Sequence, residues 1–314
     1  MSRYDRDENP VEDRDSGVRR PAEPDGGQGL SEARGQGGGG GTSHNQPPRH
    51  EIRSSKVRKV PQIRRTKHPD LDRDRTYTLR DSELKTLTDI GTFRVLKLDD
   101  LVVYRYGGNP TEAWRDLDNL MRQGLILRRT TQPEKTAYVT LTKAAHRFLE
   151  ATRPKDLKTR QALYHGFVKP REARHDAAIY RLYQQESARI EKAGGKVQRV
   201  ILDFELKRSV NPKLAKLQSL PASEQAERRR EIAEENSLPI VNGKVALPDL
   251  RLEYEGPDQE LGKVDLELVT GDYHAQALAG KGQTGFAMYA LPADAARLRP
   301  AMSDPEIMLD ILSL

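Results

Sequence analysis

Regular apolar spacing begins at residue 76. In "TYTLRDSELKTLTDIGTF" the residues Leu84, Leu87 and Ile90 recur at helical intervals, behind Asp81 or Ser82, either of which can cap the first turn. A short second helix is expected from Asp99 to Arg105. "GGNPTEAWRDLDNLMRQG" carries the most explicit punctuation: Gly107 and Gly108 turn the chain, Asn109 caps, Pro110 fits the first helical position and Gly124 stops the helix. Its expected buried stripe is Trp114, Leu117, Leu120 and Met121. "LILRRTT" and "TAYVTLT" then alternate as two strands joined by "QPEK", and a closing helix follows.

A second patterned region starts with "HDAAIYRLYQQESARIEKAGG", an amphipathic helix burying Ile179, Leu182 and Ile190 and ending at Gly194 and Gly195. "KVQRVILDFEL" reads as a strand, followed by a polar insertion at about 208–244 with a charged helix from Ala222 to Glu235. "VALPDLRLEYE" and "GKVDLELV" are two further strands, joined by the turn "GPDQEL". "YHAQALAGKGQTGFAMYA" reads as a helix, and Ile307, Leu309 and Leu312 predict another at the C-terminus.

Composition adds what the periodicity omits. Residues 1–75 are read as a basic arm whose first fifty positions, rich in Gly, Pro and polar residues, are too poor in apolar surface to offset the entropy of ordering, giving a disordered N-terminal tail. Residues 51–70 hold seven Lys or Arg against two acids, and the connector 153–174 holds seven against two, within a chain of net charge +6. Basic arms of this kind suit phosphate backbones. With no cysteine, neither disulfides nor thiolate zinc sites are available. No 18-residue apolar stretch or secretory signal is present, so no membrane partner and a cytoplasmic location are expected.

Helix, helix, helix, hairpin over residues 76–152 is the order of a winged helix-turn-helix, in which the third helix enters the major groove and the hairpin touches the backbone. The residues expected to contact double-stranded DNA are Asn109, Thr111, Arg115, Arg122, Arg128, Arg129 and Lys135. In residues 175–314 the strand alternation puts Asp249, Arg251 and Glu253 on one face and Asp265 and Glu267 on the polar face of the next strand. Two carboxylates on adjacent strands can hold Mg²⁺ or Mn²⁺ beside a scissile phosphodiester. "PD" at Pro248 and Asp249, then "DLE" at Asp265 to Glu267, is similar to the PD-(D/E)xK nuclease signature.

Together with the preceding winged helix and "VDLELVT", the chain resembles the replication-relaxation family of plasmids and other mobile elements over roughly residues 76–290. The resemblance implies an α+β chain in which the winged helix precedes an α/β restriction-endonuclease-like domain. It implies that Asp249 and Asp265 ligate the metal, with Glu186 as an additional acid. Asp249, Asp265, Glu267 and Lys281 are the catalytic residues it implies; Glu267 stands where the signature has lysine, so the resemblance looks to Lys281 on the following helix, or to Lys263, for that charge. The activity implied is DNA nicking or relaxation; the alternative is a non-enzymatic DNA-binding regulator with a degenerate nuclease-like domain. A homo-oligomer is compatible with either.

Other patterns point elsewhere and lack their context. "GKGQTG" follows a helical segment rather than a strand, and no G-x-x-x-x-G-K-[ST] occurs, so no nucleotide cofactor is expected. The histidines lack the H-E-x-x-H spacing of a zinc hydrolase, and His175 and His274 are expected at helix starts.

Overall fold

The computed structural model describes residues 65–70, 75–132, 135–153, 160–271, 273–302 and 311–314. The expected arm therefore lies outside the described residues up to residue 64. Its last part is a strand, because β1 (Thr66–Asp70) pairs antiparallel with β2 (Arg75–Leu79), with Thr66 opposite Leu79. Tyr77 and Leu79 of β2 point inward, Tyr77 edge-on to Phe148 at 5.1 Å between ring centres. On the free side of β2 the Gln123 amide takes the place of a neighbouring strand: Thr78 N–H donates to its Oε1 at 2.9 Å and its Nε2 donates to Thr78 O at 3.0 Å. A polar strand thus survives at an edge by borrowed pairing.

The first half continues with α1 (Asp81–Phe93), β3 (Leu96–Lys97), α2 (Leu98–Asp100) running into a π-helical turn (Leu101–Arg105), α3 (Pro110–Arg122), β4 (Ile126–Thr131), β5 (Thr136–Leu141) and α4 (Lys143–Thr152). β3, β5 and β4 form a three-stranded antiparallel sheet with β5 in the middle. The α1 start is not capped by Asp81 or Ser82. Glu83, one turn in and fully buried, accepts from Arg80 N–H at 2.7 Å, while Ser82 donates to Asp116. α3 starts as its sequence directs, Asn109 Oδ1 accepting from Glu112 N–H at 3.2 Å, with Gly107 and Gly108 at φ of 56° and 80° in the turn before it. Its buried stripe is Ala113, Asp116, Leu117 and Leu120. Trp114 is 40 % exposed, not buried, because Asp116 occupies the inward position and is satisfied there by Arg80 at 2.7 Å and Ser82 at 2.6 Å.

The second half begins with α5 (Pro170–Lys192), five residues earlier than expected, and continues with β6 (Lys196–Leu202), α6 (Asp203–Lys216), α7 (Ala222–Glu235), the small hairpin of β7 (Ile240–Val241) and β8 (Lys244–Val245), β9 (Leu250–Glu255), β10 (Leu261–Val269), α8 (Ala275–Gly282), β11 (Ala287–Ala290), α9 (Pro292–Met302) and β12 (Ile311–Ser313). One five-stranded sheet runs in the order β12-β11-β10-β9-β6; the pairs β6/β9 and β9/β10 are antiparallel, β10/β11 and β11/β12 parallel. Leu250, Leu252, Leu266 and Leu268 face α5, whereas Val269, Met288 and Ala290 pack with Leu278 of α8 and Leu298 of α9.

Three expectations are corrected. β6 stops at Leu202, and the "DFEL" read as strand opens α6. The helix expected through Ala290 ends at Gly282; Gly285, at φ of 73°, turns the chain into β11, whose Met288, Tyr289 and Ala290 are buried. Leu312 lies in a strand rather than a final helix, and Ile307 and Leu309 fall outside the described residues.

The two halves share one core instead of meeting through a free connector. Phe93 at the end of α1 packs on Tyr180 and Tyr183 of α5, with ring centres 5.1 and 4.9 Å apart. Arg181 of α5 makes a fork to both oxygens of Asp100 at 2.9 Å each. Gly91 lets the connector pass: a Cβ there would lie 3.1 Å from Leu163 Cδ2, and Tyr164 N–H donates to Gly91 O at 2.7 Å. Among the described residues no helix is long and apolar enough to cross a membrane.

A shared core predicts one cooperative unfolding transition. Phe93→Ala should lower stability by about 3–5 kcal/mol and shift the Trp114 fluorescence and far-ultraviolet dichroism curves together. Separation of the two curves in urea would show that the halves unfold independently.

Candidate functional site

The geometry of the site follows from one register. β9 and β10 pair Leu250 with Leu266 and Arg251 with Asp265, so one step beyond the ladder Asp249 stands opposite Glu267. The buried Arg251 guanidinium takes both oxygens of Asp265, at 2.6 and 2.9 Å, and donates also to Asn236 O at 2.7 Å and Ser237 O at 2.9 Å. Asp265 is therefore a structural counter-ion and not the expected metal ligand. Lys263 is also removed from the site, donating to Ser237 O at 3.0 Å. Glu186 is fully buried with both oxygens occupied, by Arg189 and by the Tyr289 hydroxyl at 2.7 Å, and contacts none of the site acids.

The side chains that do converge are Asp249, Glu267, Lys281, Tyr273, His175 and Asp176. Asp249 Oδ2 accepts from Leu268 N–H at 2.9 Å and lies 3.4 Å from His175 Nε2, whose Nδ1 is 3.5 Å from Asp176 Oδ1. Lys281 Nζ reaches Glu267 Oε1 at 2.5 Å, and the Tyr273 hydroxyl donates to the same oxygen at 3.2 Å. Glu267 Oε2 is buried without a hydrogen-bond partner, as is Asp176 Oδ2. Asp176, Asp203 and Asp249 line one narrow recess beside His175, and Asp203 is held by Lys207 at 2.6 Å.

Burial and charge set unlike proton affinities here. Burial pushes Glu267 up to about 7, helped by neighbouring Asp249 and opposed by Lys281. Burial also works against the charge on Asp249, yet His175, the Leu268 amide and Lys281 together hold it below the usual carboxylate range. Burial disfavours the His175 cation, but Asp176 and Asp249 override it and raise that group to about 10. Near neutrality the site is thus an ionised Asp249 against an imidazolium, beside a Glu267 that shares its proton readily.

The sequence does not mark His175, Asp176 or Tyr273 as site residues, and it makes Asp265 the second metal ligand with Glu267 beside it among the catalytic residues. The hairpin itself carries the signal that separates the two acids. Pairing of Glu255 with Leu261 centres the turn on residue 258, and 249 and 267 are each nine residues from it, while Asp265 mirrors Arg251. Alternation alone cannot separate residues 265 and 267, which share a face.

On the first half, α3 shows an exposed stripe of Thr111, Trp114, Arg115, Asp118 and Arg122, at spacings that keep them on one side of a helix. Arg128 of β4 joins it, its guanidinium 5.2 Å from the Trp114 ring centre. Arg115 lies 3.6 Å from both Glu112 and Asp116, and Arg122 is 2.7 Å from Asp118. Arg129 departs from the expected set: it stacks on Phe167 at 4.6 Å, on the side of the hairpin that faces the start of α5. Asn109 is engaged as the α3 cap, and Lys135 is exposed in the hairpin turn at φ of 51°.

Among the described residues no group of three or more His, Asp or Glu side chains stands arranged to hold a metal ion. No protein-family model matches the chain, and no curated protein or solved structure matches it significantly.

The two acids of β10 should respond oppositely to substitution. Asp265→Ala leaves the buried Arg251 without its partner and should cost about 3–5 kcal/mol. Glu267 has a folded pKa above its ordinary value, so its cost to stability is absent below about pH 4 and grows as pH rises toward 7. Glu267→Gln should therefore raise stability at pH 8 by on the order of 1–3 kcal/mol and leave it unchanged at pH 4. Thermal melts at the two pH values check both, and a loss of stability at pH 8 for Glu267→Gln would contradict the assignment.

Proposed function

We propose that the chain is a DNA-binding protein whose first half is a winged helix and whose second half is a PD-(D/E)xK-like nuclease domain acting on phosphodiesters. The observation that carries this reading is Asp249 opposite Glu267, with a buried Glu267 oxygen left unpartnered and Lys281 on the other. In the terms of the nuclease signature, Glu267 is the second acid, Val269 stands at the lysine position and Lys281 supplies the cation from α8. The reading retains the plasmid or mobile-element setting that the resemblance implies.

The donor set fits a hard divalent cation, Mg²⁺ or Mn²⁺, since oxygen ligands are what such an ion takes and one or two carboxylates suffice beside water and phosphate. Asp249 and Glu267 would hold it, and when bound it supplies Lewis-acid stabilisation of developing phosphate charge. The chain's own groups have separate tasks. Lys281 sits 2.5 Å from Glu267, placed to turn its ammonium toward a phosphate oxygen. The Leu268 amide and His175 fix the orientation of Asp249. Tyr273 fixes Glu267. On the first half the exposed Arg115, Arg122 and Arg128 supply phosphate and base-edge contacts, with Trp114 among them.

A second reading has its own support. His175 on Asp249 and Lys281 on Glu267 already balance the acids with side-chain cations, which is what a regulator that binds DNA without cutting it would need.

Incubation with supercoiled plasmid separates the two. The nuclease reading expects open circles with Mg²⁺ or Mn²⁺ and none with chelator. Asp249→Asn and Glu267→Gln should each lower the nicking rate at least a hundredfold with duplex affinity changed less than twofold. Intact plasmid under both metals would leave the DNA-binding regulator.

Trp114, the single tryptophan of the chain, should report binding directly. Duplex DNA should change its fluorescence, with an affinity that falls steeply with salt. Arg115→Ala should weaken binding by about 1–3 kcal/mol and reduce discrimination between sequences if it reaches base edges. Fluorescence that stays constant at saturating duplex would remove α3 from the interface.

A further inference from the structure

A cleft of about 340 Å³ opens where the small sheet, α5 and the β11–α9 junction meet. The site chemistry does not use it. Lys97, Tyr138, Arg174, Arg181 and Pro292 are among its walls, and among the described residues Asp100 is the one acid that lines it. Lys97 and Arg129 both stand opposite Tyr138 in the three-stranded sheet, so a row of two cations with a tyrosine between them crosses that sheet. The row faces the start of α5, where Tyr138 packs with Ala173 and Ala177 and where Lys169 is exposed.

The cations differ in how firmly they are committed. Arg181 is locked in its fork to Asp100. Lys97 pairs at 3.1 Å with Asp99, itself largely exposed, an interaction of the kind that contributes little in water and exchanges readily. Arg174 is half exposed and 3.5 Å from Asp294 Oδ2, while Asp294 Oδ1 already accepts from Gly271 N–H. Pro292 opens α9, whose positive end already faces Asp294 in its first turn, so the cleft's positive charge rests on Lys97 and Arg174. An anion is the ligand this arrangement suits. The volume is at the lower end for small-ligand sites, of a size for one nucleotide rather than a duplex.

Position narrows the class further. Arg174 immediately precedes His175, which touches Asp249, and Asp294 ties the cleft wall to the chain just beyond β10, the strand of Glu267. The cleft and the acid site lie at the same end of the sheet. We propose that the cleft binds a single-stranded stretch of nucleic acid, one nucleotide held by Lys97 and Arg174 through its phosphate, next to the phosphodiester presented to Asp249 and Glu267. This rests on the nuclease reading and adds to it that the substrate is engaged as a separated strand. Duplex is recognised on α3, and the strand is held on a different surface.

The test uses the full chain and fluorescein-labelled oligothymidylate of eight nucleotides. Lys97→Gln with Arg174→Gln should lower its affinity about tenfold and make log K less steep in log salt by about 1.4, two contacts at about 0.7 each for single strands. Duplex affinity, read from Trp114, should change less than twofold. Thymidine 5′-monophosphate should displace the oligonucleotide from the wild-type protein well before inorganic phosphate does. Lys97→Gln alone, at a solvent-facing pair, serves as the second variant if the double variant melts early, and should show about half the change in slope. Unaltered oligonucleotide affinity in a folded variant, equal losses for duplex and single strand, or equal competition by inorganic phosphate would each overturn the proposal. If nicking persists in such a case, only the cleft assignment falls. A wild-type protein that binds the strand through Lys97 and Arg174 but never nicks would instead remove the nuclease reading and, with it, delivery to the acids.

Discussion

The fork from Arg251 to Asp265 is the interaction on which the second half depends. A buried guanidinium must find carboxylate and carbonyl partners or cost several kcal/mol, and here it finds Asp265 across the ladder and Asn236 and Ser237 at the end of α7. Slipping β10 by one residue would put an apolar Val264 or Leu266 opposite Arg251 and turn the oily face of the strand outward. The pair therefore fixes the register, and the register is what sets Glu267 opposite Asp249. It also ties the polar insertion to the sheet, since the carbonyls it binds follow α7 directly. A carboxylate committed to a structural ion pair thus determines where Asp249 and Glu267 stand.

The site built on that register carries an electrostatic cost. Glu267 is pushed up to about 7 by burial beside Asp249, and one of its oxygens has no partner. Such a group weakens the fold at neutral pH. Arg251 and Asp265, one pleat away, show that this sheet face can hold fully satisfied charges. The two neighbouring pairs thus differ: both Asp265 oxygens are engaged, whereas one Glu267 oxygen has no partner, and it is on that open oxygen that the proposed function rests.

Much of this was legible from periodicity. α3, with its Asn109 cap and glycine stops, and α7 occur where the pattern places them, because their signals are local. What was illegible depends on partners distant in sequence. β1 is a polar strand that exists only through pairing, and β11 is four residues that read as the continuation of a helix until the sheet supplies neighbours. Trp114 seemed to belong to a buried stripe because nothing local says that Asp116 can be buried when Arg80 and Ser82 reach it. Of the acids and lysines that the sequence groups together, Asp249, Glu267 and Lys281 lie near one another, while Asp265, Lys263 and Glu186 are each claimed by a partner that alternation does not reveal.

α5 explains why the halves cannot be treated as separate modules. It spans 23 residues, about 35 Å as a helix, and serves three neighbours in turn. His175 and Asp176 near its start meet Asp249; Tyr180, Arg181 and Tyr183 in its middle hold Phe93 and Asp100 of the first half; Glu186 and Arg189 further on meet each other and Tyr289. A rigid helix joined to both halves by buried aromatic rings and a two-oxygen fork keeps the α3 surface at a set offset from the acids. Under the proposed function, a nucleic acid bound on α3 cannot bring the site closer by swinging a linker. The distance has to be covered by the nucleic acid itself, and a strand that leaves its duplex is more pliable over that distance than one that stays paired.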